Sequence, residues 1–215
     1  MSQLHLLRGV VDPLPMGAAP GRDVLDRYYT PPQLARAVVV ALHAMEPISG
    51  VVLEPSAGGG AFARALLDLT PAEVVVSDLD PRAPALMSTA WDRRRAAGDR
   101  VPCASYCRRD FLSIDFLRPS WVIGNPPYSV AEEHIRHALT IAPRVAFLLR
   151  ASFGSSQGRV PLWRDHPPRH MWQLAQRPSY TGGATDPADY AVYFWDRDHP
   201  GPATFSPGWS WRGPC

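Results

Sequence analysis

Asn125-Pro126-Pro127-Tyr128 directly follows the apolar run Trp121-Val122-Ile123-Gly124. That placement suits one chemical task, making a planar, conjugated amine attack an electrophilic methyl. The lone pair of an exocyclic adenine amine is delocalised into its ring and is a poor nucleophile. The side-chain oxygen of Asn125 and the carbonyl of Pro126 can both accept hydrogen bonds from such an NH2 group. Two fixed acceptors favour the pyramidal geometry of the transition state, which is electrostatic preorganisation. Proline has a carbonyl but no N–H, and Pro126 with Pro127 stiffens the loop. The Tyr128 ring offers a flat face on which a base can stack. The same four residues also read as a strand ending in a plain Pro-Pro turn, because prolines punctuate strand ends.

Three more segments carry residues of this kind. Glu54-Pro55-Ser56-Ala57-Gly58-Gly59-Gly60 follows the apolar Val51-Val52-Leu53 and precedes a helical pattern at Phe62, Leu66 and Leu69. Its glycines let backbone pass close to a ligand. It has neither the spacing of a dinucleotide-binding turn nor the Gly-Lys-Ser/Thr of a phosphate loop. Glu54 beside the glycines favours a ligand carrying an ammonium and a sulfonium over one carrying phosphates. Asp78-Leu79 ends the run Val74-Val75-Val76-Ser77, where a carboxylate can accept hydrogen bonds from both hydroxyls of a ribose. Asp110-Phe111 can bind an adenine amino group and pack on its ring. Each Asp also reads as a turn or helix-capping residue. His134 and His137 have no third ligand placed by sequence, so solvated helix positions are expected and no metal site.

The elements that must position these residues alternate. Short apolar runs at 51–53, 74–76 and 145–149 predict strands, the first two of the kind buried on both faces, and Ala104 to Arg108 and Trp121 to Gly124 are further strand candidates. Helices are expected between them, one opening at Thr30-Pro31-Pro32 with Thr30 as N-cap and Leu34, Val38, Leu42 and Met45 as its apolar stripe. Another runs from Ser129 to Ile141. The pattern is that of an α/β protein, a mostly parallel sheet of seven strands with helices on both faces. Arg169 to Ala175 and Tyr190 to Trp195 predict an antiparallel C-terminal hairpin closing the sheet edge. Residues 1–27 read as an N-terminal arm, 28–200 as one domain and 201–215 as a C-terminal tail.

The chain has 215 residues, 46% of them hydrophobic, enough to bury a full core in one domain. No apolar run approaches the roughly 18 residues of a membrane span, and no signal peptide is visible, so a cytoplasmic protein is expected. Cys103, Cys107 and Cys215 form no metal-ligand pattern and are expected to be reduced thiols. A net charge of +2 excludes indiscriminate coating of nucleic acid. All 22 cations are Arg, which with the abundant Ala and Pro reads as the coding bias of a GC-rich genome. The basic run Arg93-Arg94-Arg95, Arg100, Arg108 and Arg109 reads as a solvated face.

The combination resembles the S-adenosylmethionine-dependent amino-methyltransferases, most closely those acting on the N6 amine of adenine in DNA. Thr30-Pro31-Pro32 is similar to the family's motif X, Glu54 to Gly60 to motif I, Asp78 to the ribose-binding acid, Asp110-Phe111 to the adenine-binding pair, and Asn125 to Tyr128 to the catalytic motif IV. Their order matches the gamma arrangement, and the resemblance covers roughly residues 28 to 150. It implies a Rossmann-like class I methyltransferase fold with S-adenosylmethionine as cofactor. The cofactor would be held by Tyr29, Thr30, Pro31, Glu54, Ser56, Ala57, Gly58, Gly60, Asp78, Leu79, Asp110 and Phe111. It also implies catalysis by Asn125, Pro126, Pro127 and Tyr128. The segment Arg159 to Arg197 resembles small methyltransferases of phages and mobile elements, with Arg177 to Gly183, Thr185-Asp186 and Tyr190 to Trp195 similar to their closing hairpin, which implies that its loop, with Tyr180, faces the target base.

The chain departs from a full DNA methyltransferase in having no separate target-recognition domain. Only Leu112 to Ser120, Ala151 to Pro168 and Arg177 to Asp189 remain as reading loops, so loose or short sequence specificity is expected. Arg159, Arg164 and Arg169 are candidate phosphate contacts. The expected reaction is direct in-line transfer to a flipped-out adenine. An RNA base amine or a protein glutamine amide is the alternative acceptor, and a catalytically silent nucleic-acid-binding module is the reading from another class.

Overall fold

The computed structural model describes residues 29–81, 83, 104–180, 186–199 and 201–212. The expected N-terminal arm, the arginines at 93–95 and 100, Cys103, Cys215 and the loop residues 181–185 lie outside them. In chain order the regular elements are α1 (Pro32–Met45), β1 (Val51–Glu54), α2 (Ala61–Leu69), β2 (Glu73–Ser77), β3 (Ala104–Cys107) and β4 (Trp121–Gly124). There follow α3 (Ala131–Ile141), β5 (Arg144–Arg150), α4 (Val160–Asp165), β6 (His170–Leu174), β7 (Tyr190–Asp196) and β8 (Thr204–Trp209).

The strands form one sheet in the order β3-β2-β1-β4-β5-β7-β6-β8. From β3 to β5 every pairing is parallel. Strand β7 runs antiparallel to both β5 and β6, and β8 is parallel to β6. Successive side chains of a strand point to opposite faces, and the core divides accordingly. Val52, Val74, Val76, Ile123, Ala146, Leu148 and Phe194 pack under α1 and α2 on one face. Leu53, Val75, Val122, Val145, Phe147, Leu149 and Trp195 pack with Ile135 and Ala138 of α3 on the other. Burying each Val, Leu, Ile or Phe among them is worth about 1.5–3 kcal/mol. Both faces are therefore covered by helices, as the continuous apolar runs require.

Four expectations change. The sheet has eight strands, not seven, because Thr204–Trp209, assigned to the tail by sequence, pairs with β6. Consequently the β6–β7 hairpin is internal and β8 forms the edge. The sequence hid β8 because Pro207 and Gly208 interrupt it. Gly208 takes φ +63, and the register slips by one residue opposite Trp172 to Leu174, a bulge of the kind that Pro and Gly mark in edge strands. Thr30 does not cap α1. Pro31 occupies the N-cap with no side-chain hydrogen bond, which leaves the Thr30 hydroxyl for another partner. The segment 151–168 is not an open reading loop. It holds two 3-10 turns and α4, with Phe153 and Leu162 buried against the sheet.

Candidate active site

Strands β2, β1 and β4 are parallel neighbours, so Asp78, the Glu54–Gly60 loop and Asn125 emerge together at their carboxyl ends. Backbone and side-chain bonds lock the loop to β2. The Ala57 amide donates to the Ser77 carbonyl (3.1 Å) and the Ser77 hydroxyl to the Pro55 carbonyl (3.2 Å). One Asp78 oxygen accepts from the Gly58 amide at 2.6 Å and the other from the Asp80 amide at 2.7 Å. Burial raises the Asp78 pKa and those backbone donors oppose the rise. Each oxygen has a second lone pair with which to accept from a ligand hydroxyl. Asp78 thus shapes the glycine loop as well as facing the cavity. Gly58 has φ +50, and a Cβ there would lie 3.1 Å from the Tyr29 ring, so backbone and ring approach as only glycine allows.

Two cavities open at these strand ends. The first, about 270 Å³, is lined by Asp78, Leu79, Asp80, Asp110, Phe111 and His134, with Pro126 and Pro127 opposite. The second, about 400 Å³, is lined by Thr30, Pro31, Glu54, Ala57, Phe62, Arg64 and Ser179. Tyr29, Ser56, Gly58 and Asn125 border both. Asn125 therefore stands at the junction. Its Nδ2 donates to the Thr30 hydroxyl at 3.1 Å, which turns Oδ1 into the acceptor side of the amide. Glu54 is 1% exposed and accepts from the Ala63 amide at 2.8 Å. Burial holds its pKa well above the ordinary glutamate value against that hydrogen bond.

The remaining expected residues are placed as follows. Asp110 caps the 3-10 turn Phe111–Ser113 through the Leu112 amide (3.0 Å) while bordering the first cavity. Phe111 is buried, and His134 and His137 pack on its ring at 5.1 and 4.8 Å between centroids. Neither occupies the fully solvated position expected, since His134 is buried and His137 half-buried. His134 bonds the Val130 carbonyl and His137 the Ile114 carbonyl, both at 3.0 Å, and burial lowers the His134 pKa. Gly60 borders neither cavity and instead starts α2 in a left-handed conformation.

Tyr128 lies behind the Pro-Pro turn. Its hydroxyl meets that of Tyr180 at 3.1 Å, Tyr190 packs on its ring and the Arg150 guanidinium sits 5.2 Å over it. It lines a third recess of about 190 Å³ with Arg150, Phe153 and Arg159. Burial and the neighbouring Tyr180 raise the Tyr128 pKa, keeping the phenol neutral. Of the expected phosphate contacts, Arg169 is at the wrong end of the sheet. It precedes β6 and bonds Asp196 at 2.7 Å and Glu46 at 3.2 Å, opposite the carboxyl ends of the parallel strands. Arg159 pairs with Glu132 at 3.4 Å, and Arg164 pairs with the adjacent Asp165 at 2.7 Å. Sequence reasoning missed Arg64, Asp80, His134 and Ser179. Arg64 and Asp80 were discoverable, since a residue in the first turn after a ligand loop, or two beyond a strand-end acid, faces the same opening.

Compared by sequence, the chain matches no family model and no curated protein. Solved structures do match. A candidate RNA methyltransferase from Pyrococcus horikoshii superposes with a TM-score of 0.66 at 16% identity, over 90% of this chain and 96% of that one. A dimethyladenosine transferase from Plasmodium falciparum gives 0.58 at 16% identity, over 79% and 62%. The methyltransferase subunit of a type I restriction-modification system from Streptococcus thermophilus gives 0.59 at 13%, over 80% of this chain and 45% of that one. The chain has the Rossmann-like fold of methyltransferases. Methyltransferases of this fold use S-adenosylmethionine as methyl donor. Among the described residues, no helix is long and apolar enough to cross a membrane, and no group of three or more His, Cys, Asp or Glu side chains could hold a metal ion.

Proposed function

We propose that this chain is an S-adenosylmethionine-dependent methyltransferase that transfers a methyl group to the exocyclic N6 amine of adenine in DNA. The observation that carries the reading is the position of Asn125, bordering both cavities with its amide turned by Thr30. In this reading the first cavity receives the adenosine of the cofactor, with Asp78 on the ribose and Asp110 and Phe111 on the adenine. The second receives the amino-acid tail, with the cofactor ammonium near Glu54. A target adenine leaves the stack at a cost of a few kcal/mol. Asn125 Oδ1 and the Pro126 carbonyl accept its two N–H groups, and the nitrogen lone pair attacks the methyl carbon as the carbon–sulfur bond breaks. The methyl inverts, S-adenosylhomocysteine leaves, and the surplus proton passes to solvent.

Adenine in RNA is the second reading, supported by the likeness to the Pyrococcus structure, a candidate RNA methyltransferase. Incubation with methyl-labelled S-adenosylmethionine and separate DNA, RNA and protein pools tests both. Label in N6-methyladenine of DNA is expected, whereas label in RNA or glutamine alone would overturn the DNA assignment.

A further inference from the structure

We infer that Arg64 is the carboxylate anchor of the cofactor and forms, with Glu54, a two-charge clamp for an α-amino acid zwitterion. The inference rests on the cofactor reading above and assigns a residue that neither motif spacing nor resemblance singled out. Both side chains line the second cavity, whose other walls are Pro, Gly, Ala and Phe with a few neutral polar groups. Glu54 closes strand β1, and its carboxylate is tied to the amide of Ala63, the residue before Arg64. The two charges are thus held on one short stretch of backbone, anion at the strand end and cation on the first turn of α2. Arg64 is half-buried, and among the described residues no ion pair or side-chain hydrogen bond engages its guanidinium. Its helical neighbour Arg36 shows the ordinary alternative, pairing with Asp68 at 2.8 Å on the surface of the same helix pair.

A guanidinium on the wall of a cavity that a buried acid also lines matches a ligand that brings both charges. A carboxylate would also meet the positive end of α2, and Arg suits it by bidentate geometry. The ammonium of the same ligand would offset the cost of ionising Glu54. The cofactor's sulfonium then stays unpaired by this clamp, so methyl transfer and tail binding are separate tasks.

The test compares binding of S-adenosylmethionine, decarboxylated S-adenosylmethionine and methylthioadenosine by calorimetry. R64M, which keeps the aliphatic stem, should weaken S-adenosylmethionine by about ten- to a hundred-fold, the range of a charge-assisted hydrogen bond. It should leave the decarboxylated ligand and methylthioadenosine unchanged, and R64K should recover part of the loss. E54Q should weaken both ligands that carry the ammonium and spare methylthioadenosine. Equal loss of all three ligands in R64M would show a structural role and overturn the assignment. So would unchanged S-adenosylmethionine affinity with weakened nucleic-acid binding, which would make Arg64 an acceptor-phosphate contact. If the unmodified protein bound none of the three, the cofactor reading itself would fall, and the clamp with it.

Discussion

At the scale of single residues, the contact between Asn125 and Thr30 carries most weight. The hydroxyl freed from helix capping accepts from Asn125 Nδ2 and holds the amide in place. Asn125→Ala removes the acceptor, and transfer should fall by about a hundredfold or more while cofactor affinity measured by calorimetry stays within a few-fold. Thr30→Val keeps the shape but not the hydrogen bond. It should lower kcat by about tenfold, because misdirected groups lose that much from small displacements, and Thr30→Ser should restore it. Glu54 makes a prediction about pH. Its folded pKa is raised, so the favourable protonated contribution is complete below the ordinary glutamate range and is lost as pH rises through the folded value. Glu54→Gln should therefore raise the melting temperature of the ligand-free protein at pH 8, and that gain should vanish at acidic pH. A lower melting temperature at pH 8 would mean the carboxylate is stabilised by something beyond the Ala63 amide.

At the scale of elements, the two ends of the sheet do different work. The carboxyl ends of β1, β2 and β4 hold the cavities, and the opposite end holds the ion pairs of Arg144 and Arg169 with Asp196, whose side chain is 1% exposed. Arg169→Gln should leave nucleic-acid affinity unchanged in anisotropy titrations. It should cost about 1–3 kcal/mol in denaturant unfolding, because a buried carboxylate loses a charged partner. Strand β8 depends on the left-handed Gly208 at its bulge. Gly208→Ala strains the backbone with no steric neighbour to blame and should destabilise by about 1 kcal/mol. Strands β1, β2, β4 and β5 were legible because each is built around a short apolar run. β8 was not, since Pro207 and Gly208 break its pattern and its other residues are largely exposed.

At the scale of the whole molecule, the described residues form one sheet with two helix-covered faces, and under the proposed function they leave little surface for reading a sequence. The segment 151–168, a loop by sequence, is spent on packing, with Trp163 stacked on Tyr193 and Trp195. Acceptor binding should accordingly be dominated by phosphate contacts and weaken steeply with salt. Mapping methylated positions over random DNA should return a short or degenerate motif. The sequence by itself determined the strand–helix alternation, the glycine loop and the Asn-Pro-Pro-Tyr turn, because these depend on local periodicity and on residues with special backbone chemistry. Only the tertiary structure decided which of those residues meet. Thr30 and Asn125 are 95 positions apart, Tyr128 faces Arg150 and Tyr180 instead of an open stacking surface, and Arg169 sits at the far end from the cavities. Such juxtapositions follow from strand order and direction, which no local pattern encodes.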